Sequence, residues 1–450
     1  MAIDTRDKEY ICPGEQHPIS RSIHLARQAA FFPPCRQCPL REDERLIALR
    51  TTALPASEIG EAGTPRDRFA EGRGLAISAN DLFTSEGVRG VFLNQLTRGR
   101  AETMAAAFAI WLWEIAPING FNDGIDRGAR QVRPTVVAGY DERLSSPAIL
   151  SSVIAGLRRM GCHVIDIGLA TKPCLWFAVD RVHASGGVFV TGAGCEPSFA
   201  GIDFVGGTGR PISLPGGLSR IRELAGRPLS RPTRDAGTER TFQPAGPYEE
   251  SVRRQFQNLR TLTVACASPS VLVRQTVERV FDSLECKLLA VDLPVRVRNP
   301  AHRRDADMLR LSTAVRESAA DLGILIDDDG LRCGFVDERG RHVSPGAIAR
   351  FIVPPMLAKA TGGNVLLEPG AFNEMRPLIE ALGGRCQPCP DTFEAISAAM
   401  AEGGVVYAGG DTGRHWFRDS VPTCDSLHIL ASVLVASSQA NVPFSELAAG

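Results

Sequence analysis

The side chains best suited to hold a metal crowd into the first forty positions. Cys12, His17, His24, Cys35 and Cys38 lie within 27 residues. Thiolates and imidazoles select zinc over magnesium or calcium, and a structural zinc takes four such ligands in a tetrahedron. Cys12, Cys35 and Cys38 with one of His17 or His24 would make a Cys3His set. Cys35-x2-Cys38 is a usual half-site, whereas the C-x22-C-x2-C spacing matches no standard finger. An iron–sulfur centre, a surface redox pair and incidental cysteines are the alternatives. Ser20 or Ser22 can cap a short helix through Gln28, which Pro33-Pro34 stops. At about 1.5 Å per residue that helix would be roughly 13 Å long, short enough to bring two half-sites together. A second pair, Cys386-Gln-Pro-Cys389, has no His or Cys nearby and reads as a loop or weak redox pair. Cys162, Cys174, Cys266, Cys286 and Cys333 sit singly in apolar runs, as buried reduced thiols do, so a reducing cytoplasm is the expected compartment.

The elements that could position such chemistry follow from composition and periodicity. The chain has 450 residues, 44% hydrophobic and 22% charged, with a net charge of −1. That is the balance of a globular protein with several cores, and it gives no electrostatic argument for nucleic acid or a membrane surface. The longest apolar run, Met104 to Trp113, is ten residues, too short to span a bilayer. The charged start MAIDTRDKEY has no apolar core of a secretory signal. From Leu82 onward, short apolar runs alternate with helix-like stretches. VRPTVVAGY, HVIDIG, GGVFVT, LTVACA, KLLAVDL, LGILID, NVLLEP and VVYAGG read as strands. SSPAILSSVIAGLRRMG reads as a helix capped by Ser145 or Ser146 and ended by Gly161. Met104 to Trp113 reads as the core face of another helix, and His163 and His183 as ordinary packed or surface histidines. The strand–helix–strand rhythm predicts an α/β chain with parallel or mixed sheets covered by helices. Arg-, Pro- and Gly-rich sequence around 205–248, and a second stretch near 340–355, suggest boundaries between three blocks of similar size.

Loops after strands are where α/β folds place chemistry, and five segments there share a pattern. Phe83-Thr84-Ser85-Glu86-Gly87-Val88-Arg89-Gly90 resembles the FGTDGIRG opening of the α-D-phosphohexomutase family, the phosphomannomutases and phosphoglucomutases. Val137 to Pro147, VAGYDERLSSP, resembles its VGxDxRxSSP segment. Gly186 to Gly201, GGVFVTGAGCEPSFAG, aligns with the catalytic GGxxxTASHNPxxxNG. Leu322 to Arg332, LGILIDDDGLR, sits where the family has its DGDxDR metal loop, and Gly409 to His415, GGDTGRH, where it has the sugar-reading GGExSGH. The resemblance covers about residues 83–450. It implies three consecutive α/β/α sandwich domains, at 82–240, 241–345 and 346–450, after a small Cys/His-containing extension at 1–40 and a linker at 41–81. It also implies a phosphoserine that exchanges phosphoryl groups with a hexose phosphate, and a Mg²⁺ held by three Asp and a phosphoserine oxygen.

The same alignment marks departures. The nucleophilic Ser is replaced by Ala193, or by Gly194 if the alignment shifts by one; neither offers a hydroxyl. Thr191 and Cys195 are the only nucleophile candidates nearby, and the Thr191 hydroxyl is expected to bond the loop backbone. Asp327 and Asp329 match two metal ligands, but Leu331 takes the third position and Asp328 stands where the family has Gly. Mg²⁺ binding is therefore expected to be weak or lost, and Leu331→Asp to tighten it. In the sugar loop the Glu is shortened to Asp411, the Ser becomes Gly413 and the Gly becomes Arg414, while His415 and Asp425 remain. SSQANVPFSELAAG is expected to close the third domain and leave the family's fourth, phosphate-binding domain missing. The expected function is a phosphohexomutase-like protein of carbohydrate metabolism with lost or impaired turnover. It would bind a hexose phosphate through Arg89, Arg332, Asp411 and His415, with Arg143 near the cleft. A protein partner through the N-terminal segment is expected; nucleic acid and membrane are not; a structural or regulatory subunit that pairs with an active paralogue is a third reading. The alternative is an active phosphomannomutase or phosphoglucomutase with a non-standard nucleophile.

Overall fold

The computed structural model describes residues 82–116, 118–119, 130–294, 296–298, 302–360, 362–418 and 423–449, and the short strands Glu9–Tyr10 and Ile19–Ser20. Met1–Ile77 and Ser78–Gly450 form two separate compact units. In the first, Glu9 pairs opposite Ser20 and Tyr10 opposite Ile19, antiparallel. The candidate zinc ligands Cys12, His17, His24, Cys35 and Cys38 lie outside the described residues.

The second unit is built on three large sheets met in succession along the chain, beside a two-stranded antiparallel pair of Ile118–Asn119 with Arg130–Gln131. The first contains β1 (Phe83–Thr84), β2 (Gly87–Val91), β3 (Thr135–Tyr140), β4 (His163–Leu169), β5 (Gly186–Val190), β6 (Phe199–Gly206) and β7 (Glu239–Thr241), in the order β7-β4-β3-β5-β6-β2-β1. The second contains β8 (Thr263–Ser268), β9 (Lys287–Asp292), β10 (Leu322–Ile326), β11 (Cys333–Asp337) and β12 (His342–Val343), in the order β9-β8-β10-β11-β12. The third contains β13 (Asn364–Leu367), β14 (Arg385–Pro388), β15 (Val405–Gly409) and β16 (His415–Phe417), in the order β14-β13-β15-β16.

One motif recurs in all three. Each sheet has a parallel run whose last strand, β5, β10 or β15, is followed by an antiparallel neighbour, β6, β11 or β16. The connection between those two strands is the loop at 191–198, 327–332 or 410–414. The three motif loops thus occupy equivalent places in three similar units. β5, β10 and β15 are buried at every residue, as strands covered on both faces must be.

Helices supply the cover. Arg98–Ile115 (α1) is capped by Thr97, whose side chain accepts from the Arg100 N–H, and it buries Met104 to Ala109 and Leu112. Ser146–Arg159 (α2) follows β3; Ser145 holds the N-cap position without a side-chain bond, and Gly161 takes the left-handed φ of +87° just past the end. Lys172–Arg181 (α3) is capped by Thr171, and Phe393–Ala401 (α4) by Thr392. Ser426–Ala440 (α5) is capped by Asp425. A continuous apolar core runs through residues of all three sheets, including Val137, Ile165, Val264, Ile324, Val365 and Tyr407. No helix among the described residues is long and apolar enough to cross a membrane.

Candidate functional site

The first loop leaves β5 at Thr191 and re-enters the sheet at Phe199. Its shape is set by backbone bonds. The Thr191 N–H donates to the Gly201 carbonyl at 3.0 Å, and the Ala193 N–H donates to the Thr191 hydroxyl at 3.0 Å. The hydroxyl of Thr191 is therefore spent on the loop, as the sequence predicts. Gly192 donates to Asp141 at 3.0 Å, and a Cβ there would come within 2.5 Å of the Phe199 carbonyl, so only glycine fits. Arg143 spans the loop, donating to the carbonyls of Cys195 and Glu196 at 3.0 and 2.8 Å and reaching Asp328 at 3.4 Å. It thereby joins the first loop to the second. Ala193 is half-buried in the middle of this arrangement and offers only a methyl group. Burial pushes the Cys195 thiol up, and the nearby guanidinium groups of Arg89 and Arg143 do not bring it back to its ordinary value.

Arg89, on β2, is committed to a partner that the motifs do not mark. Asp203, in the middle of β6, is 2% exposed and accepts from both terminal nitrogens of Arg89. It also accepts from the Nζ of Lys172, the first residue of α3, at 2.7 Å. Burial alone would raise the Asp203 carboxyl, but the charges and hydrogen bonds of Arg89 and Lys172 outweigh it and hold the group below its usual range. The one sequence signal for this triad is a lone carboxylate in the apolar strand FAGIDFVG.

The second loop carries Asp327, Asp328 and Asp329, each able to offer one carboxylate oxygen to a common point, with the three oxygens within 4.8 Å of one another. Gly330, at a left-handed φ of +77°, turns the chain behind them. Asp327 accepts from the Asp328 N–H at 2.7 Å, and Asp329 from the Leu331 N–H at 2.9 Å. Burial, followed by repulsion from Asp329 and Asp328, holds the Asp327 carboxyl well above its ordinary value. One buried oxygen of Asp328 has no hydrogen-bond partner. Clustered, mutually repelling carboxylates with an orphaned oxygen fit a hard divalent cation. Leu331, at the position expected to gain a ligand as Asp, is 1% exposed and belongs to the apolar core, so a carboxylate placed there would replace core packing. The third carboxylate comes from Asp328.

In the third loop Asp411 accepts from the Gly370 N–H at 2.7 Å, at the start of the helix Pro369–Ala381. Glu368 accepts from the N–H and hydroxyl of Thr412 at 2.6 and 2.7 Å. His415 is 2% exposed, with Nδ1 2.6 Å from the Tyr407 hydroxyl, and burial pushes its pKa down to about 3. Asp425 is half-buried, accepts from the Tyr248 hydroxyl at 2.8 Å, and is raised by desolvation to about 6. Arg332 and Arg414 face each other as an antiparallel bridge that ties the second loop to the third. The structure thus brings Arg143, Asp328, Arg332 and Arg414 into linked loops, and buries His415 in a bond of its own.

The chain is similar to known proteins. Residues 80–225 match the family described as phosphoglucomutase/phosphomannomutase, alpha/beta/alpha domain I. A protein of Xanthomonas campestris pv. campestris named for phosphohexose mutases is 29% identical over 307 residues, covering 66% of this chain and 67% of its own length. Residues 80–225 thus carry that family's first domain, and the chain is similar to α-D-phosphohexomutases over about two thirds of their length. A phosphomannomutase of Salmonella montevideo is 28% identical over 313 residues, covering 65% of this chain and 67% of its own. A crystal structure of a phosphoglucomutase/phosphomannomutase family protein from Burkholderia thailandensis superposes with a TM-score of 0.71 at 21% identity, over 82% of this chain and 79% of that one. That likeness shows the multi-domain α/β fold. The curated relatives are matched over about two thirds of their length.

Proposed function

We propose that this phosphohexomutase-like protein binds a hexose phosphate in the cleft between its three loops without forming a phosphoenzyme. The observation that carries the reading is Ala193, a methyl group at the centre of the loop where the family holds its nucleophile. A phosphoryl group needs an oxygen, nitrogen or sulfur to land on. Thr191 has its hydroxyl bonded to the loop backbone, and the thiol of Cys195 is held in its protonated form by burial. Asp327, Asp328 and Asp329 would hold Mg²⁺, which would neutralise charge on a bound phosphate. Arg143 and the Arg89–Asp203–Lys172 triad set the shape of the loop that faces it.

The alternative, an active mutase, finds its support in the names of the curated relatives and in Cys195, the described thiol that lies beside Arg89 and Arg143. Incubation with hexose 1,6-bisphosphate followed by intact mass measurement separates the two. The first reading predicts no added phosphoryl group; a stable adduct lost in Cys195→Ala would establish the second. We further propose that the three sheets correspond to domains at 82–240, 241–345 and 346–450. The N-terminal Cys/His cluster binds one zinc and a protein partner, and the protein works in the cytoplasm.

A further inference from the structure

The three motif loops are tied to one another in a closed ring. Arg143 joins the first loop to Asp328 of the second at 3.4 Å. The second joins the third through the Arg332–Arg414 bridge and through the Cys333 N–H, which donates to the Gly413 carbonyl at 2.9 Å. The third returns to the first sheet through Phe393. The Arg414 guanidinium lies 4.6 Å over the Phe393 ring, and the Phe393 N–H donates at 3.3 Å to Glu86, in the turn between β1 and β2. The chain runs from the first sheet to the second and from the second to the third, so no peptide link crosses the seam between the first and the third.

A small polar latch closes that seam. Glu394, in the first turn of α4, accepts from the Ser213 N–H at 2.7 Å and from the Gly217 N–H at 3.1 Å, at the start of the helix Gly217–Ala225. The Glu394 N–H donates back to the Ser213 hydroxyl at 3.2 Å, and that hydroxyl donates to Glu86 at 2.7 Å. A side chain at Gly216 would collide with the Glu394 carboxylate, so glycine there makes room for the seat. The latch is finely balanced. Burial holds the Glu86 carboxyl above its ordinary value, although the bonds from Ser213 and Phe393 and the charges of Lys172 and Arg414 pull it down. Those partners do not fully replace the water that Glu86 gives up, and opening the seam would restore it. Beyond the latch the seam is not packed. A cavity of about 670 Å³ separates Thr208 and Arg210, on the first sheet's side, from Met400 and Ala401 at the far end of α4. Rigid interfaces pack as densely as a protein interior. Here α4 is pinned at its start by hydrogen bonds and stands beside open space at its end, as a hinged part does.

We propose that the seam between the first and third sheets is the gate of the cleft: the Glu86–Ser213–Glu394 latch holds it shut, and release of the latch lets the third loop leave the first to admit the ligand. The identity of that ligand rests on the hexose phosphate reading; the opening does not.

The test is amide hydrogen exchange of the full chain, read by mass spectrometry, with Ser213→Cys/Glu394→Cys as a reversible bolt. The Ser213 hydroxyl lies 3.2 Å from the Glu394 nitrogen, close enough for the two cysteines to join. The oxidised form should exchange the Phe393 and Gly217 amides at least tenfold more slowly than the same protein after reduction. The unmodified chain, taken through the same oxidation and reduction, should show no such difference. Glu394→Ala should speed exchange at Phe393, whose own acceptor Glu86 is untouched, by about tenfold, the effect of losing one hydrogen bond to a charged group. It decides alone if the bolt does not form. Strand β10 should exchange alike in every form. Exchange at Phe393 that ignores both changes, or that rises together with β10, would overturn the gate, the second result marking the latch as general support. Stopped-flow tryptophan fluorescence with glucose 1-phosphate then reads entry, since the Trp416 ring packs 5.2 Å from Phe393. The bolted form should take up the sugar at least tenfold more slowly than the reduced form. Equal rates would overturn the proposal. Binding to neither form, with exchange responding as expected, would uphold the gate and reject the hexose phosphate reading.

Discussion

Replacing Asp203 by Asn should be among the most damaging single changes in the first sheet. The carboxylate is 2% exposed and accepts three hydrogen bonds, two from Arg89 and one from Lys172. Asparagine keeps the shape but offers one acceptor, turns an NH2 toward a cation, and leaves two buried positive charges facing each other. Breaking a buried pair in this way costs about 3–5 kcal/mol, a large part of the roughly 5–15 kcal/mol that holds a domain together. Urea unfolding followed by circular dichroism should show a lower midpoint at an unchanged slope. Removing a cation as well, in Asp203→Asn/Lys172→Met, should be less damaging than the two single losses added, because the sites share one network. The pH dependence has a definite sign. The folded carboxyl is held below its unfolded value of about 3.9, so the unfolded chain binds the proton first. The contribution is full above about pH 4 and is lost as pH falls through the folded value. A cost below about 1 kcal/mol for Asp203→Asn, within the range of ordinary substitutions, would refute the view that this triad fixes the loop.

Further predictions follow from the other loops. Leu331→Asp should lower the melting temperature without tightening Mg²⁺ binding, since it puts a carboxylate into the core, whereas Asp328→Asn should weaken Mg²⁺ binding measured by calorimetry. The opposite pair of results would restore Leu331 to the ligand position. His415, depressed to about 3, should show no imidazole titration by NMR between pH 5 and 8, and its share of stability should fall as pH drops from about 6.5 toward that value, because the unfolded chain takes up the proton first. A titration near pH 6.5 would place the ring in solvent. Protein purified under reducing conditions should contain one zinc per chain by elemental analysis, lost in Cys35→Ser/Cys38→Ser with the three sheets still folded by circular dichroism. Absence of zinc in the unmodified protein would remove the N-terminal site.

Much of the fold was legible because buried parallel strands write themselves as short apolar runs. TVVAGY, HVIDIGL, GGVFV, LGILI and VVYAG all appear as strands where the periodicity puts them. The antiparallel partners Phe199–Gly206, Cys333–Asp337 and His415–Phe417 were not, since they follow glycine-rich loops and carry charges or histidine among their apolar residues. The site was legible in part for similar reasons. Thr191 announces its backbone bond through its place at the strand end. Asp203 hides as one charge in an apolar strand, and its partners Arg89 and Lys172 are 114 and 31 residues away. Which of three consecutive aspartates join a cluster depends on the turn at Gly330, and no spacing rule places Leu331 in the core. The commitments of Asp411 to Gly370 and of His415 to Tyr407 are likewise tertiary facts.

The central claim, that a family scaffold without a nucleophile binds but does not transfer, is tested most directly by a coupled mutase assay. It should use pure full-length protein at high concentration with Mg²⁺, the bisphosphate activator, and glucose 1-phosphate or mannose 1-phosphate in turn. The account predicts no conversion to the 6-phosphate above the background without protein, in both the unmodified chain and Ala193→Gly. Conversion that scales with protein concentration and persists through repeated purification would contradict it, and would assign the phosphoryl acceptor to a residue other than position 193.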